Sequence, residues 1–402
     1  MNKEAYIIDG IRTAVGNFGG ALSAIRADDL AALPIAELIK RNPSIPLSEI
    51  DDVILGCHNQ AGEDNRNVAR MAGLLAGLPD SVPGETVNRL CSSGMSAIAH
   101  AARAIKAGDG DIFIAGGVEH MTRGPLVVSK PSKAFGVDAK MEDSSFGWRF
   151  VNPKMTAMNH TDAMGITAEN LVAMYAISRA DQDKFALASQ TKAAIAAANG
   201  RLDEEIMTVR IPQRKGEPIV FSQDEFIRSN STLEGLSKLR PAFKEGGTVT
   251  AGNASGLNDG AAAVFVASAA AIATYKLKPI ARIVATAVVG VAPRIMGIGP
   301  VEATHKALKK AGLTLDQIDI MEFNEAFAAQ ALACIRALGL KDDDPRINVN
   351  GGAIAIGHPL GMSGTRITYT AALELQKTGK RYALATMCVG VGQGYAIVLE
   401  RA

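Results

Sequence analysis

The feature that most constrains this chain is an internal similarity between its two halves. Residues 47–53 (LSEIDDV) resemble residues 315–321 (LDQIDIM), which lie 268 residues further along the chain. In each copy a short helical turn is predicted to lead into an apolar strand. Cys91 and His358, each in a glycine-rich turn that precedes a helical pattern, are 267 residues apart. Two separate pairs with nearly the same offset predict a duplicated fold, because repeats of this length are domain duplications rather than solenoid units.

Short apolar runs alternate with helical patterns along both halves, which predicts an α/β fold with buried parallel strands. The candidate strands are residues 6–9, 52–55, 111–115, 282–289, 320–323 and 382–387. A turn is predicted at the glycine pair 116–117. We predict an N-terminal half at 1–120 plus 250–270, an inserted loop or lid domain at 121–249, and a C-terminal half at 271–402.

The predicted insert differs in composition from the two halves. It is rich in loops and methionines and contains the only tryptophan, Trp148. Its clearest helix is predicted over 179–199, with Ser178 as the N-cap. Two interpretations of the methionines stay open: they line an adaptable ligand pocket that the insert covers, or they fill an ordinary core.

Bulk composition argues against several classes of protein. A chain of 402 residues is too long for one ordinary core. A net charge of +1 gives no support for nucleic-acid binding, which usually needs a strongly basic face. No segment reaches 18 uninterrupted apolar residues, so no membrane span is predicted. Four scattered cysteines and the absence of a recognisable targeting signal predict a reduced, cytoplasmic protein.

Cys91 and His358 are the first candidates for catalysis. A thiol at a helix N-terminus faces unpaired N–H groups, which stabilise the thiolate and are expected to lower its pKa. The alternative is a buried structural cysteine. An imidazole between Gly357 and Pro359 is poorly suited to core packing and well suited to general-base work.

Two further residues are candidates. Cys388 precedes a glycine-rich loop that is expected to expose it to a ligand, although a buried structural thiol is the alternative. Asn324 follows a strand, where its amide is placed to orient a water or an oxyanion; the alternative role, a helix N-cap, is compatible with the first.

The other histidines carry less specific contexts. His100 and His305 fall within helical patterns and are expected to be structural or solvated. His58 and His120 are placed on loops near the candidate site, with their role left open.

Five segments together resemble the signature blocks of the thiolase family. They are 88–95 (NRLCSSGM), 248–260 (TVTAGNASGLNDG), 324–327 (NEAF), 351–364 (GGAIAIGHPLGMSG) and 388–394 (CVGVGQG). All occur in the expected order, and the resemblance covers essentially the whole chain. It implies two βαβαβαββ halves with a loop domain inserted in the first.

The resemblance also implies roles for site residues. Cys91 would be the acyl-accepting nucleophile, His358 its base, and Cys388 the acid and base at the α-carbon of the acetyl unit. The backbone N–H groups of Cys91 and Gly390 would form one oxyanion hole, and His358 with a water held by Asn324 would form the other. Six residues would contact coenzyme A or the acyl chain: Ser255, Arg228, Phe243, Met164, Met296 and Phe327.

The implied activity is that of an acetyl-CoA C-acyltransferase. Coenzyme A would cleave a 3-ketoacyl-CoA to acetyl-CoA and a shortened acyl-CoA through an acyl-Cys91 intermediate, a ping-pong mechanism. Coenzyme A is a co-substrate here, and no metal or bound cofactor is expected. The resemblance implies a homodimer or homotetramer, with other β-oxidation enzymes as possible partners.

The sequence motifs point to more than one acyl chain. Residues 62–70 and 147–153 resemble β-ketoadipyl-CoA thiolases of aromatic degradation, whereas 117–121 and 164–170 resemble fatty-acid 3-ketoacyl-CoA thiolases. Ala163 stands where biosynthetic acetoacetyl-CoA thiolases carry a histidine. A degradative fatty-acyl enzyme is the first expectation, with 3-oxoadipyl-CoA or acetoacetyl-CoA thiolase as alternatives.

Three rival interpretations are less well supported by the residues. A ketosynthase would use one cysteine with two histidines, but Asn324 and Cys388 stand at those places. An inactive lipid carrier of the same fold would be expected to lack Cys91, His358 or Cys388. A zinc site formed by the same three residues would lack the close ligand spacing that is usual for zinc.

Overall fold

The computed structural model describes residues 3–402. The strands are β1 Ala5–Thr13, β2 Gly16–Asn17, β3 Asp52–Gly56, β4 Gly84–Val87, β5 Ile112–His120, β6 Leu126–Val128, β7 Met141–Asp143, β8 Ile206–Met207, β9 Val209–Ile211, β10 Ile219–Phe221, β11 Asn258–Ser268, β12 Ala281–Gly290, β13 Ile320–Phe323, β14 Tyr382–Val389 and β15 Gln393–Arg401. The helices are α1 Ala27–Arg41, α2 Val68–Leu75, α3 Ser93–Ala107, α4 Pro153–Ala157, α5 Met164–Tyr175, α6 Arg179–Ala198, α7 Leu233–Ser237, α8 Ala269–Tyr275, α9 Gly299–Ala311, α10 Ala328–Ala337, α11 Ala353–Ile356 and α12 Leu360–Thr378.

The main sheet has the strand order β13-β14-β15-β12-β1-β11-β5-β3-β4, with β2 beside β11 and β8 beside β1. The expectation of parallel strands is wrong for its centre, where β1, β5, β11, β12 and β15 pair antiparallel. Along this path only β3–β4, β3–β5 and β13–β14 are parallel. Strands β5 and β11 are buried along their whole length, so they lack the alternation between a core face and a solvent face that would mark an antiparallel strand.

The duplication predicted from the sequence is confirmed by the strand order. From the centre outward, the first half runs β1, β11, β5, β3, and the second half runs β12, β15, β14, β13 in the corresponding places. The halves join where β1 pairs antiparallel with β12, at Tyr6–Arg282 and Ile7–Ala281. The α/β class is therefore correct, and the two copies are related by an approximate twofold arrangement.

Helices α3 and α12 hold the two candidate catalytic turns together. They pack against each other, and α12 also contacts strands of both halves. Two glycines allow this close approach: a Cβ on Gly364 would lie 2.4 Å from the backbone nitrogen of Met95, and one on Gly94 would lie 2.4 Å from Thr365 Oγ1. Since each helix begins just after a candidate turn, this packing places the two turns side by side.

The segment between the halves contains short strands and helices rather than a large sheet. The predicted helix is α6, and Ser178 and Asp181 form a capping box at its start. The predicted turn at Gly116 and Gly117 is wrong, because both glycines lie within β5. The domain boundaries remain a prediction. Within residues 3–402, no helix combines the length and the apolar character needed to cross a membrane.

Candidate active site

Two adjoining cavities meet at Cys91. The first, of about 320 Å³, is also lined by His358 and Cys388. The second, of about 510 Å³, is lined by Gly390 and His58 among others. Phe146, Met164 and Leu360 line both cavities, as Cys91 does. Cys91 therefore lies at the junction of the two cavities.

Cys91 lies in a short 3-10 turn, Leu90–Ser92, immediately before α3. The expectation of a lowered pKa is wrong: burial raises the pKa of Cys91 to about 11, although the N–H groups of Gly390 and of Cys91 itself oppose the shift. Leu90 and Val391 have φ angles of 46° and 59°. Left-handed backbone at residues other than glycine is uncommon and concentrates at functional sites.

His358 is buried and held on both ring nitrogens. Nδ1 lies 2.6 Å from Ser363 Oγ, and that hydroxyl donates to the Pro359 carbonyl at 2.8 Å. Because the hydroxyl proton is already used, Nδ1–H donates to Ser363 and the lone pair lies on Nε2. Burial and then the charge of Arg366 lower the pKa of His358 to about 3, so the ring is neutral at pH 7. A neutral ring with its lone pair on Nε2 is the form required of a base.

Asn324 contacts His358 directly. Its Nδ2 lies 3.2 Å from His358 Nε2, and its backbone N–H donates to Thr386. The N-cap alternative is wrong, because α10 begins at Ala328 and its N-cap position is Phe327. Within residues 3–402, the buried Oδ1 of Asn324 has no hydrogen-bond partner. The amide is therefore aimed at the imidazole rather than at a helix end.

Cys388 lies inside β14, opposite Gly394, and is fully buried. The expectation that a loop exposes it is wrong, since the strand continues to Val389. Its side chain nevertheless lines the first cavity. Burial and then the nearby Cys91 raise the pKa of the Cys388 thiol well above its ordinary value. At neutral pH it is a thiol, which is the form that can donate a proton.

The structure brings together five of the six residues expected to contact coenzyme A or the acyl chain. The residues that line the first cavity are Ser255, Phe243, Met164, Met296 and Phe327. The rings of Phe243 and Phe327 meet edge to face, with centroids 5.9 Å apart. Arg228 is not in this cavity: its side chain lies over the Phe226 ring, in a separate cavity.

Two residues that hold His358 were missed in the sequence. Ser363 accepts from Nδ1, and Asn258 Oδ1 accepts the His358 backbone N–H at 2.9 Å. Both lie within the signature blocks. Ser363 lies in the first turn of α12, five residues after His358, and this closeness in the chain was a usable signal for a contact.

Four of the five other histidines bear on the predictions from the sequence. His58 lines the second cavity. His120 is not on a loop but at the end of β5, buried, with Nε2 3.1 Å from the Leu22 carbonyl oxygen. His100 and His305 lie in α3 and α9 as expected. Among residues 3–402, no group of three or more His, Cys, Asp or Glu side chains is placed to hold a metal ion.

Replacing Ser363 with alanine is expected to remove the preference of His358 for the tautomer protonated on Nδ1. Without the hydroxyl, Nδ1–H has no acceptor in its buried site, and the Nε2–H form becomes competitive. We expect kcat to fall by about 10- to 100-fold with little change in KM. Nitrogen NMR of labelled histidine would report the tautomer. An unchanged tautomer together with an unchanged kcat would contradict this role.

The reactivity of Cys91 in the free protein should depend steeply on pH. Because its pKa is raised to about 11 and only the thiolate is alkylated, the rate with iodoacetamide should rise roughly tenfold per pH unit from pH 7 to 10. Peptide mass spectrometry would follow the modification of Cys91. A rate independent of pH in this window would mean that the thiolate is already formed at neutral pH.

Comparison with known proteins agrees with this arrangement. The family model described as "Thiolase, N-terminal domain" matches residues 5–270, and "Thiolase, C-terminal domain" matches residues 277–401. The beta-ketoadipyl-CoA thiolase of Acinetobacter baylyi is 59% identical over 399 residues, covering 99% of this chain and 100% of that protein. The 3-oxoadipyl-CoA/3-oxo-5,6-dehydrosuberyl-CoA thiolase of Escherichia coli is 58% identical with the same coverage.

A solved structure extends the likeness to three dimensions. Human mitochondrial 3-ketoacyl-CoA thiolase in complex with CoA superposes with a TM-score of 0.91 at 39% identity, covering 100% of this chain and 98% of that one. The resemblance drawn from the signature blocks is thereby confirmed, and coenzyme A is a substrate of such enzymes. The chain belongs to the thiolase family of acyltransferases.

Proposed function

We propose that this thiolase cleaves 3-oxoadipyl-CoA with coenzyme A to acetyl-CoA and succinyl-CoA. The choice of substrate rests on the relatives that match over the full length at 55% to 59% identity. All of them are named as thiolases of β-ketoadipyl-CoA or 3-oxoadipyl-CoA. The reaction is the thiolytic cleavage expected from the signature blocks, with a dicarboxylic acyl chain in place of the fatty-acyl chain expected first.

In the first half-reaction, the Cys91 sulfur attacks the C3 ketone while His358 Nε2 takes the thiol proton. The transfer accompanies the attack, because the shifted pKa values of both groups disfavour a preformed ion pair. The C3 oxyanion then reforms the carbonyl, and the C2–C3 bond breaks with its electrons passing to the acetyl-CoA enolate. The Cys388 thiol protonates C2. Stabilising the oxyanion and the enolate is the main electrostatic task of such a site.

In the second half-reaction, coenzyme A replaces acetyl-CoA and attacks the acyl-Cys91 thioester. Before this attack, the proton held by His358 passes to Cys388 and restores its thiol. The neutral His358 ring then takes the proton of the coenzyme A thiol as its sulfur attacks. The ring gives this proton to the Cys91 sulfur as that sulfur leaves. The N–H groups of Cys91 and Gly390 are proposed to hold one oxyanion. Gly390 and Cys91 line the same cavity, and the Gly390 N–H opposes the rise in the pKa of Cys91, which supports that position. His358 with Asn324 is proposed to hold the other.

We assign coenzyme A to the first cavity. Its walls carry Phe243, Met296 and Ser255, a mostly apolar lining that suits a pantetheine arm. Arg228 is kept as a candidate for the phosphate end, because it lies outside the reacting cavity. We further propose that segment 121–249 covers the substrate and that the protein acts as a homodimer or homotetramer.

A 3-ketoacyl-CoA with an aliphatic chain is the second candidate substrate. It is favoured by the 39% identical human 3-ketoacyl-CoA thiolase and by the apolar side chains of the second cavity. Measurement of kcat/KM over 3-oxoadipyl-CoA, medium-chain 3-ketoacyl-CoA and acetoacetyl-CoA would separate the candidates. We expect 3-oxoadipyl-CoA to be preferred. A preference for either of the others would overturn the proposed substrate and leave the family assignment intact.

A further inference from the structure

The second cavity contains a charge that its apolar walls do not explain. Much of its lining comes from Leu90, Phe146, Trp148, Met164, Leu360 and Val391. Arg149 is the one permanently charged side chain in the lining, which includes no aspartate or glutamate of residues 3–402. An anionic group of a ligand in this cavity would therefore meet the Arg149 charge without competition from a carboxylate of the lining.

The guanidinium of Arg149 is only loosely held by the protein. Nη1 lies 3.4 Å from the Ser144 carbonyl oxygen, and Nη2 lies 3.5 Å from the Asn59 carbonyl oxygen. Both contacts are long for hydrogen bonds. Arg149 is partly buried and, within residues 3–402, forms no ion pair with a carboxylate. Its donor capacity is therefore largely available to a ligand.

The backbone around Arg149 is held in an unusual conformation. Gly147 has a φ of 83° and Phe150 a φ of 48°, so left-handed residues lie on both sides of the arginine. Trp148 Nε1 donates to the Asp162 carbonyl at 3.4 Å, and the Phe150 N–H donates to Glu142 at 2.9 Å. Strained segments fixed by specific contacts concentrate at ligand sites.

We propose that Arg149 is the specificity-determining residue for a dicarboxylic acyl chain and binds its terminal carboxylate. This inference rests on the proposed function. With the C3 carbon at Cys91 and coenzyme A in the first cavity, the remainder of the chain has to lie in the second cavity. In 3-oxoadipyl-CoA this remainder ends in a carboxylate, for which a planar guanidinium provides two parallel donors.

His58 is the other ionisable group in the second cavity besides Cys91 and Arg149, and its surroundings suit an anion less well. Its Nδ1 lies 3.7 Å from Glu119 Oε1. The buried Glu119 carboxylate accepts the backbone N–H groups of His58, Asn59 and Gly361. A fixed negative charge behind His58 disfavours a second carboxylate there. Arg149 has no such neighbour.

The test compares two substrates of equal acyl length, 3-oxoadipyl-CoA and 3-oxohexanoyl-CoA, which carries a methyl group in place of the carboxylate. Arg149→Gln should lower kcat/KM for the dicarboxylate by about 100-fold, because the ligand charge loses its partner. For 3-oxohexanoyl-CoA the value should change by less than about threefold, since that chain makes no ion pair. Arg210→Gln, at an exposed position of β9, is the matched control and should change neither value.

A binding measurement removes the chemistry from the comparison. Adipyl-CoA and hexanoyl-CoA have no ketone, and Arg149→Gln should weaken only adipyl-CoA, by a similar factor. Equal losses for both ligands, or no loss for adipyl-CoA, would overturn the inference. The inference would also be overturned if His58→Gln, rather than Arg149→Gln, selectively weakened the binding of adipyl-CoA. If the wild-type protein does not turn over 3-oxoadipyl-CoA at all, the proposed substrate fails instead, and this outcome is distinct from a wrong assignment of Arg149.

Discussion

Replacing Cys91 with alanine is expected to abolish the acyl-enzyme and to lower kcat by on the order of 10,000-fold. The reason is that the reaction then has no nucleophile to accept the acyl group. Cys388 is not expected to take over, because it is fully buried within β14 and burial raises the pKa of its thiol well above the ordinary value. Intact mass spectrometry after mixing with acetyl-CoA or 3-oxoadipyl-CoA should show an adduct on the wild-type protein and none on the variant.

A second buried cysteine provides the control for this experiment. Cys334 lies in α10, is buried, and lines neither cavity that meets at Cys91. Cys334→Ala should keep both the adduct and the turnover, apart from a modest loss of stability. Formation of an adduct by Cys91→Ala at the wild-type rate would place the nucleophile elsewhere and overturn the mechanism.

Replacing Cys388 with alanine should separate the two half-reactions. Breaking the C2–C3 bond needs an acid at C2, so thiolytic cleavage is expected to fall by about 1,000- to 10,000-fold. Acyl transfer between Cys91 and coenzyme A needs only His358. Exchange of labelled coenzyme A into acetyl-CoA should therefore persist within about tenfold of the wild-type rate.

The comparison of the two rates decides the role of Cys388. Equal loss of cleavage and exchange would indicate that the alanine disturbs the whole cavity rather than the proton transfer alone. Thermal denaturation of the variant would check the fold, because removing a buried sulfur costs about 1–2 kcal/mol through lost packing. Cleavage at the wild-type rate would exclude Cys388 as the acid.

The sequence was informative about which residues meet and less so about their electrostatics. Cys91 and His358 could be paired because a duplicated fold places equivalent turns together. The pKa of Cys91 was expected in the wrong direction, since helix position is visible in a sequence whereas desolvation depends on the packing of distant segments. Cys388 was placed on an exposed loop for a related reason: its glycine-rich neighbourhood begins two residues beyond it.

Strand direction and long-range contacts account for most of the other differences. The antiparallel pairing at the centre of the sheet could not be recognised, because β5 and β11 are buried along their whole length and show no alternation between a core face and a solvent face. Asn258 and Arg149 reach the site from segments far from Cys91 and His358 in the chain, and their contacts follow from the fold rather than from local spacing. Ser363, in contrast, lies on the same helix that His358 precedes and could have been identified.

The close crossing of α3 and α12 has a consequence for how such a protein can change over generations. Gly94 and Gly364 allow the two helices to pack closely, so the distance between Cys91 and His358 is determined by helix packing in the protein interior. The walls that meet the acyl chain come partly from the segment that contains Phe146 and Arg149. New substrate ranges can therefore arise by substitutions in that segment, while the chemistry is inherited unaltered.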